Sequence, residues 1–553
     1  MRGEDISATR IRWSILLVCT VLLLFVFATD GLADDDDAGR VARGARIYHL
    51  GLLGDGRPLA GTVRDPLPGM NVACVSCHRR SGLGGREGGE LVPALTGDYL
   101  FKDHLKLITK PTLRRIKRWA YTEASFDRAL RKGIDVMGDP ISRVMPRYAL
   151  PEEDRDALIA YLKTLVYPHK PGIDADTVHI ATVVDKRLPA VEREALIEVA
   201  RRYVAQENRA IQAREKRAAF SERQNNWGVK SFRRWRLHLW ELEGEPDTWR
   251  KQLDDDYGKQ PVFILVGGAV AGEWQPIDRF CEARKLPCVL PHTDLPARGE
   301  SSHFTFYFSR GLQLEADVLA SRLHSETPAT TRLVQIYRDG AAGRYAARGL
   351  RESATQRGMP VEDRRLPADG VLSADDLAWM DSLSDDTAVM LWLDRESLSQ
   401  LVKLRDGKAA RGSYYASSSL LGTGLTPTRT AWDERIRLIH PFELPWQPTA
   451  GVSQGFLNKQ GILSDQVFRL QSETFAAFAA VSQVMRRVRH ELVREYFMEQ
   501  LEHLSEDLHA TSVYPRFSLG PYQRIVSKGA YLFPLSELGR DRHDSYPWVI
   551  PGQ

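Results

Sequence analysis

Five consecutive residues constrain this chain more than any others: Cys74-Val75-Ser76-Cys77-His78. Two thiols three positions apart, with a histidine directly after the second, are the spacing that c-type haem attachment needs. Each thiol adds to one vinyl group, and the histidine then lies beneath the iron as its proximal ligand. A CxxC pair also serves as a redox dithiol, but that chemistry uses a strand-to-helix setting, which the polar and glycine-rich flanks here do not supply. A zinc site needs further ligands, and no second cysteine pair lies in this region. The motif therefore reads as one covalently held haem c on Cys74 and Cys77, with His78 on the iron.

The rest of the composition limits the class. At 553 residues the chain is too long for one core, so two or three domains are expected. Hydrophobic residues at 43% and charged residues at 27% exclude a multi-span membrane protein and a mainly disordered one. A net charge of +4 does not point to nucleic acid. Trp227, Trp235 and Trp240 beside Arg233, Arg234 and Arg236 read as partly buried strand residues and surface charges. With five cysteines in all, each is read individually.

The first 33 residues set the compartment. Ile15 to Phe27 is an apolar run of thirteen, preceded by Arg10 and Arg12. That is short of the roughly 20 residues of a membrane-spanning helix and fits the apolar region of a secretory signal. Gly31-Leu32-Ala33 offers small residues for cleavage after Ala33. The alternative is an uncleaved anchor, the only case in which the membrane is a partner. Cys19 lies inside the run, with no lipidation motif around it. Either way the remainder is exported, to the periplasm.

Haem of this type takes a sixth ligand, often methionine. Met145, Met137 and His104 are the candidates. Met145 opens the extended stretch Met145-Pro146-Arg147-Tyr148. Pro151 and the acids Glu152, Glu153 and Asp154 then start a helix with Leu158, Ile159, Leu162 and Leu165 at helical spacing. A loop packed by such a helix can aim a methionine rigidly. Met137 sits in a turn, Val136-Met137-Gly138-Asp139-Pro140. Met145 is the preferred axial ligand.

The segment from about Gly44 to Leu165 resembles a single-haem class I cytochrome c. The resemblance rests on Gly44-Ala45-Arg46-Ile47-Tyr48, on Cys74 through Gly84, on Met145-Pro146-Arg147-Tyr148 and on Leu158-Ile159-Ala160-Tyr161-Leu162. It implies an all-α cytochrome c domain, placed at residues 40–168. It also implies that a proline carbonyl accepts the proximal histidine's Nδ1 proton, and Pro93 stands at the matching position. The glycine-rich loop Gly82 to Gly89 is longer than the family pattern. From Asp34 to Lys170 there are 23 Lys and Arg against 18 Asp and Glu, a basic balance that steers acidic redox partners or simply forms a solvated face.

Residues 169–177, with Pro168 and Pro171-Gly172, read as a linker. Beyond it, strand-like and helix-like segments alternate. His179 to Val184, Leu237 to Leu242, Val262 to Gly268, Pro287 to Leu290, Leu333 to Tyr337 and Val389 to Leu393 are the strands. Val191 to Gln206, Thr248 to Tyr257, Ile277 to Lys285, Leu312 to Leu323 and Tyr345 to Arg357 are helices between them. Ser464 to Leu504 reads as one long packing helix. Alternation of this kind predicts parallel sheets covered by helices, and its length predicts two lobes.

The stretch from roughly Asp176 to Phe533 resembles the type I periplasmic binding proteins, the fold of branched-chain amino-acid receptors of ABC transporters, which implies a domain of that kind at residues 178–553. The residues that carry this are Val262 to Gly268, Lys285 to Pro291, Tyr307 to Gly311, and Val334 to Asp339 followed by Gly343. Ser518 to Pro521 before Ser527-Lys528-Gly529 reads as the closing hairpin. The resemblance implies two hinged α/β lobes that clamp a small solute at strand C-termini. Asp185, Gly268, Asp339, Asp394 and Ser417 end predicted strands and are the candidate ligand residues, with cap and turn roles as the competing reading. In the amino-acid receptors an aromatic residue precedes the glycine after the second-lobe strand. Here Ala342 precedes Gly343, which points away from an amino-acid solute. Cys281 and Cys288, seven apart, are placed to close a local disulfide in an exported chain or to stay as buried thiols; the disulfide is the expectation.

The functional expectation is an exported electron carrier, not an enzyme, joined to a solute- or partner-binding domain. Its redox partner would be a periplasmic dehydrogenase or an oxidase chain. The alternatives are a transporter-type solute receptor and a haem-based sensor, with the cytochrome as accessory.

Overall fold

The computed structural model describes residues 35–552 apart from 64–65, 88–89, 109–113, 226–232, 300–301, 326–331, 370–371, 406–410, 423–431, 489–491, 505–510 and 541–543. The apolar run at Ile15 to Phe27, Cys19, the Ala33 cleavage position and Trp227 lie outside the described residues. Two compact units divide the chain, one ending at Val166 and one beginning at Tyr167.

The first unit is built on helices α1 (Asp35–Leu50), α2 (Val75–His78), α3 (Gly97–Phe101), α4 (Glu123–Lys132) and α5 (Glu152–Thr164). Local chemistry explains their ends. α4 starts with a capping box between Thr122 and Ser125 and stops at Gly133, whose φ is +65°. α5 starts after Pro151, with three acids in its first turn. The core is Ile47 and Tyr48 from α1 with Leu158, Ile159 and Leu162 from α5, closed by Val72, Leu100, Phe126 and Leu130. α1 and α5 cross closely at Gly44, where a side chain would run into the Ala157 carbonyl and the Tyr161 Cβ.

The all-α expectation for this unit is corrected. Its long inter-helix loops fold into antiparallel pieces, because the chain there is too extended to remain plain loop with its backbone groups unpaired. β1 (Ala60–Thr62), β2 (Pro66–Pro68) and β7 (Arg147–Tyr148) form a three-stranded sheet in the order β2-β1-β7. β3 (Gly85–Glu87) pairs β4 (Glu90–Val92), and β5 (His104–Ile108) pairs β6 (Arg114–Arg118).

The second unit holds two sheets. The first contains β8 (Thr177–Asp185), β9 (Arg234–Leu242), β10 (Ile264–Val266), β11 (Cys288–Val289) and β12 (Thr305–Phe306) in the order β12-β11-β10-β8-β9, all parallel. The second contains β13 (Arg332–Arg338), β14 (Val361–Leu366), β15 (Thr387–Trp392), β16 (Ser413–Ser417), β17 (Ile436–His440), β18 (Ala530–Pro534) and β19 (Trp548–Val549) in the order β14-β13-β15-β16-β17-β18-β19. Only β18 runs against the others, pairing antiparallel with both β17 and β19. Strands such as β8 and β15 are buried almost end to end, which is why they read as unbroken apolar runs rather than alternating ones.

Helices α6 (Ala190–Asn225), α7 (Trp249–Lys259) and α8 (Gln275–Arg284) link the strands of the first sheet. α9 (Leu312–Ser325) carries the chain to the second sheet and packs there beside α10 (Ala341–Thr355). α11 (Ala374–Asp381) and α12 (Arg395–Leu404) cover the other face of that sheet, and α13 (Ser418–Leu421) follows β16. α14 (Gly451–Gln460), α15 (Phe468–Arg487) and α16 (Arg494–Glu502) return to the core of the first sheet. The single long helix expected over Ser464 to Leu504 is therefore two helices, broken between Val488 and Val493. The segment expected as the closing hairpin does fold back, with Ser518 donating to the Val526 carbonyl at 3.1 Å around a turn in which Gln523 donates to Gly520. Val526 and Ser527 donate to the Tyr307 and Phe308 carbonyls, so this segment runs parallel to residues 307–308 before entering β18. Gly172 accepts from the His179 backbone and lies against the Phe263 backbone so closely that a side chain there would have no room.

Candidate functional site

Around the CVSCH motif the backbone makes a single helical turn, with Cys77 and His78 donating to the Cys74 carbonyl at 3.3 and 2.9 Å. Cys74 and Cys77 are half-buried and free of any disulfide. His78 is 6% exposed, and its Nδ1 lies 2.9 Å from the Pro93 carbonyl. A carbonyl can only accept, so Nδ1 carries the proton and Nε2 keeps its lone pair. Burial pushes the His78 pKa down to about 4 against the smaller pull of that carbonyl, so the ring is neutral and ready to bind a metal. The Cys74 thiol is pushed up to about 12 by burial.

A glycine makes the histidine's hydrogen bond reachable. Gly84 has a φ of +68° and abuts the carbonyls of both Val92 and Pro93. Its own N–H donates to the His78 carbonyl at 3.0 Å, and Leu95 donates to Gly82. The glycine-rich insertion thus folds back as the β3–β4 hairpin and delivers Pro93 to the ring. No signal beyond the glycine's place in that loop marked it in the sequence.

Met145 belongs to the same apolar cluster as Cys74, Val75 and Tyr48. Its loop is held from behind by Arg147, whose guanidinium donates to the carbonyls of Met145 (2.6 Å), Ile141 (3.0 Å) and Ser142 (3.3 Å). Tyr148 donates to the Val72 carbonyl at 2.8 Å, which ties the methionine loop to the residues just before Cys74. Gly61 on β1 permits this, since a Cβ there would sit 2.9 Å from the Tyr148 ring, 3.0 Å from Pro146 and 3.1 Å from Val72. Arg147 and Gly61 were not singled out in the sequence. Met137 lies apart, in a turn closed by Asp135, which accepts from the Met137 and Asp139 backbones. His104 opens β5. The donor set suits a haem: two thiols on one turn, a neutral imidazole with a free lone pair, and a thioether in the same apolar cluster.

Each of the five strand-end candidates of the second unit has a local structural role. Asp185 is buried and accepts from the backbones of Arg187 (2.9 Å) and Ala271 (3.0 Å), which fixes the loop after β8. Gly268, after β10 and at a φ of +97°, lies against the β8 backbone, where an added Cβ would sit 2.8 Å from the Val183 carbonyl. Asp339 pairs with Arg344 at 2.9 Å. Asp394 caps α12 and Ser417 caps α13. The first two end strands of one sheet and the other three end strands of the other. The disulfide is corrected: Cys281 and Cys288 are free and fully buried. The thiols meet in the apolar layer between α8 and the first sheet, where burial and then the hydrogen bond with Cys288 raise the Cys281 pKa well above its ordinary value.

What the strand ends do bring together was not anticipated. Arg469 of α15 reaches Asp294, after β11, at 2.6 and 3.0 Å, and Glu473 at 2.7 Å. His292 Nδ1 lies 2.6 Å from Glu473. Burial works against charge on Asp294 and Glu473, but Arg469 outweighs it and holds both carboxyls below their ordinary range.

Among known proteins, the second unit is similar to solved structures at low identity. A leucine-binding protein from Thermotoga maritima shares 12% identity, covering 68% of this chain and 99% of its own, with a TM-score of 0.46. A branched-chain amino-acid ABC transporter protein from Thermus thermophilus with bound valine shares 10%, covering 68% and 97%, at 0.47. A fatty acid ABC transporter substrate-binding protein from Thermomonospora curvata shares 12%, covering 66% and 89%, at 0.45. The chain matches none of the curated proteins. The family model for cytochrome c matches residues 70–166, a span that takes in the haem-type motif, the proline and the methionine loop. Residues 70–166 are therefore a cytochrome c domain, a kind of domain that implies covalently held haem c.

Proposed function

We propose that this protein is an exported electron carrier with one haem c, joined to a unit that binds a small solute or a partner. Its first 33 residues serve as the export signal, and the mature chain works in the periplasm. The hydrogen bond from His78 Nδ1 to the Pro93 carbonyl carries the reading, because it leaves Nε2 free for iron and strengthens it as a donor. Cys74 and Cys77 would hold the macrocycle, and Met145 would be the second axial ligand. When bound, the haem supplies one-electron exchange between ferric and ferrous iron. The chain's own part is to keep the imidazole neutral, fix its tautomer, aim the thioether through Arg147 and exclude water with Tyr48, Val72 and Leu158. With that division of labour the protein passes electrons rather than transforming a substrate. Its redox partner is a periplasmic dehydrogenase or an oxidase chain, and among the described residues no helix is long and apolar enough to cross a membrane.

The test is spectroscopic. Protein matured with its haem should resist extraction by acid acetone and show a low-spin, methionine-ligated spectrum. Met145→Ala should abolish the charge-transfer band at the red end of the spectrum, and Met137→Ala should leave it. Loss of the band in Met137→Ala alone would overturn the assignment. A second reading, a solute receptor with an accessory cytochrome, is favoured by the two-sheet architecture of the second unit, whose chain passes between the sheets three times. A solute that raises the melting temperature at micromolar levels would support it.

A further inference from the structure

The second unit contains a cavity of about 440 Å³. One wall is the segment 296–299 that follows β11, and another is formed by α9 and α10. Residues 522–525, part of the segment that carries the chain back to the second sheet, close a third side. None of Asp185, Gly268, Asp339, Asp394 or Ser417 lines it. The volume is that of a small-molecule site.

Its charge is one-sided. Arg298, Arg310, Arg348 and Arg524 line the cavity, against one carboxylate, Glu352. Arg524 is wall material: it pairs with Glu502 at 2.7 Å and stacks on Phe306. Arg298 lies 3.8 Å over the Tyr345 ring and pairs with Glu352 at 3.0 Å. Its Nε is buried and meets no acceptor among the described residues. Asp278, behind the wall, is engaged by Ser302 and the Tyr307 hydroxyl, each at 3.0 Å.

The other two arginines have capacity left. Arg310 donates through Nη1 to Asp317 at 2.6 Å, and Arg348 through Nε to Glu352 at 2.7 Å. Their side chains stay 55% and 64% exposed. A guanidinium carries five N–H donors in a planar fork, so most of the donors on these two are left to water or a ligand. Tyr522, at the rim, is 61% exposed and held at a φ of +65°. That is a costly backbone region for a bulky residue, and such strain concentrates at ligand clamps.

We propose that this cavity binds a small organic monocarboxylate, its carboxylate taken by Arg310 and Arg348 and its body lying against Tyr345 and Tyr522. This deepens the reading of the second unit as a solute-binding unit and rests on it. Glu352 on the same wall repels a second negative charge, so a flat monoanion is preferred over a phosphate dianion. Because the walls come from both sheets and the returning segment, the bound solute holds the two halves of the unit together.

The test is titration calorimetry on the full-length, haem-loaded protein at constant ionic strength. Benzoate, 4-methyl-2-oxopentanoate and butyrate are the carboxylate probes, with leucine and inorganic phosphate beside them. At least one carboxylate is expected to bind, and R310Q/R348Q should weaken it tenfold or more. Because Arg310 is the counter-ion of the buried Asp317, the double variant is compared with D317N, which removes the same pair and should keep carboxylate binding, and the charge control R202Q/R250Q should bind like the parent. Carboxylate binding that is absent, or undiminished in R310Q/R348Q, overturns the proposal, as does tighter binding of phosphate. Leucine binding that persists in R310Q/R348Q while the carboxylates fail would leave the solute-binding reading standing without this cavity. Failure of every probe would remove both.

Discussion

At the scale of single residues, the haem-type site depends on groups with no chemistry of their own. Gly84 has no side chain to offer, yet its positive φ and its contact with two carbonyls decide where Pro93 lies. Gly84→Ala should cost about 1 kcal/mol or more, because alanine resists that backbone region and the new methyl strikes the Val92 carbonyl. The same change should weaken the His78–Pro93 bond. The histidine then donates less to the iron and the reduction potential rises, which a redox titration of Gly84→Ala would show. CVSCH, Met145 and Pro93 were legible because their chemistry demands fixed residue types at fixed spacing. Gly84 and Gly61 were not, because each works by lying against a segment that only the fold brings up, and the role of Arg147 was not, because its three carbonyl partners converge only once the methionine loop is folded.

At the scale of elements, two contacts carry measurable consequences. α1 crosses α5 at Gly44, against the Ala157 carbonyl. Gly44→Ala should push the helices apart and lower stability by about 1–3 kcal/mol, seen as a lower melting temperature of the first unit. The second contact is the end of β17, where His440 Nε2 donates to the Glu443 carbonyl at 2.9 Å. Burial pushes its pKa from 6.5 down to about 4, and the carbonyl opposes this only in part. Between pH 6.5 and 4 the unfolded chain binds a proton that the folded chain refuses, so stability falls as pH drops through that window and then levels off. The loss is on the order of 3 kcal/mol, and urea titrations at pH 7 and pH 4 should show it shrink in His440→Phe. Most helices and strands were legible from apolar periodicity, but the break after Val488 and the antiparallel pieces of the first unit were not. Periodicity reports which face is buried, and it is blind to which partner a short extended stretch finds.

At the scale of the whole molecule, α15 is contributed by the late part of the chain but packs on the first sheet. Arg469 makes that return trip electrostatically binding, since it is the counter-ion of both Asp294 and Glu473. Arg469→Leu should cost about 3 kcal/mol in urea unfolding, because it strands the buried Glu473 and the partly exposed Asp294. The haem absorption of the first unit should be unchanged by it.

Some features of this protein are dictated by covalent and local chemistry, and the amino-acid sequence determined those alone. They are the haem-type turn at Cys74 to His78, the helix start after Pro151, and the alternation that requires covered parallel sheets. Tertiary structure decided everything that depends on distant segments meeting. It set Pro93 against His78 across a hairpin, split the strand-end candidates between two sheets, kept Cys281 and Cys288 as thiols and gathered four arginines around one cavity. The physical reason is that a spacing rule acts along the chain, whereas burial and charge pairing act through space, and only the packed fold says which residues share it.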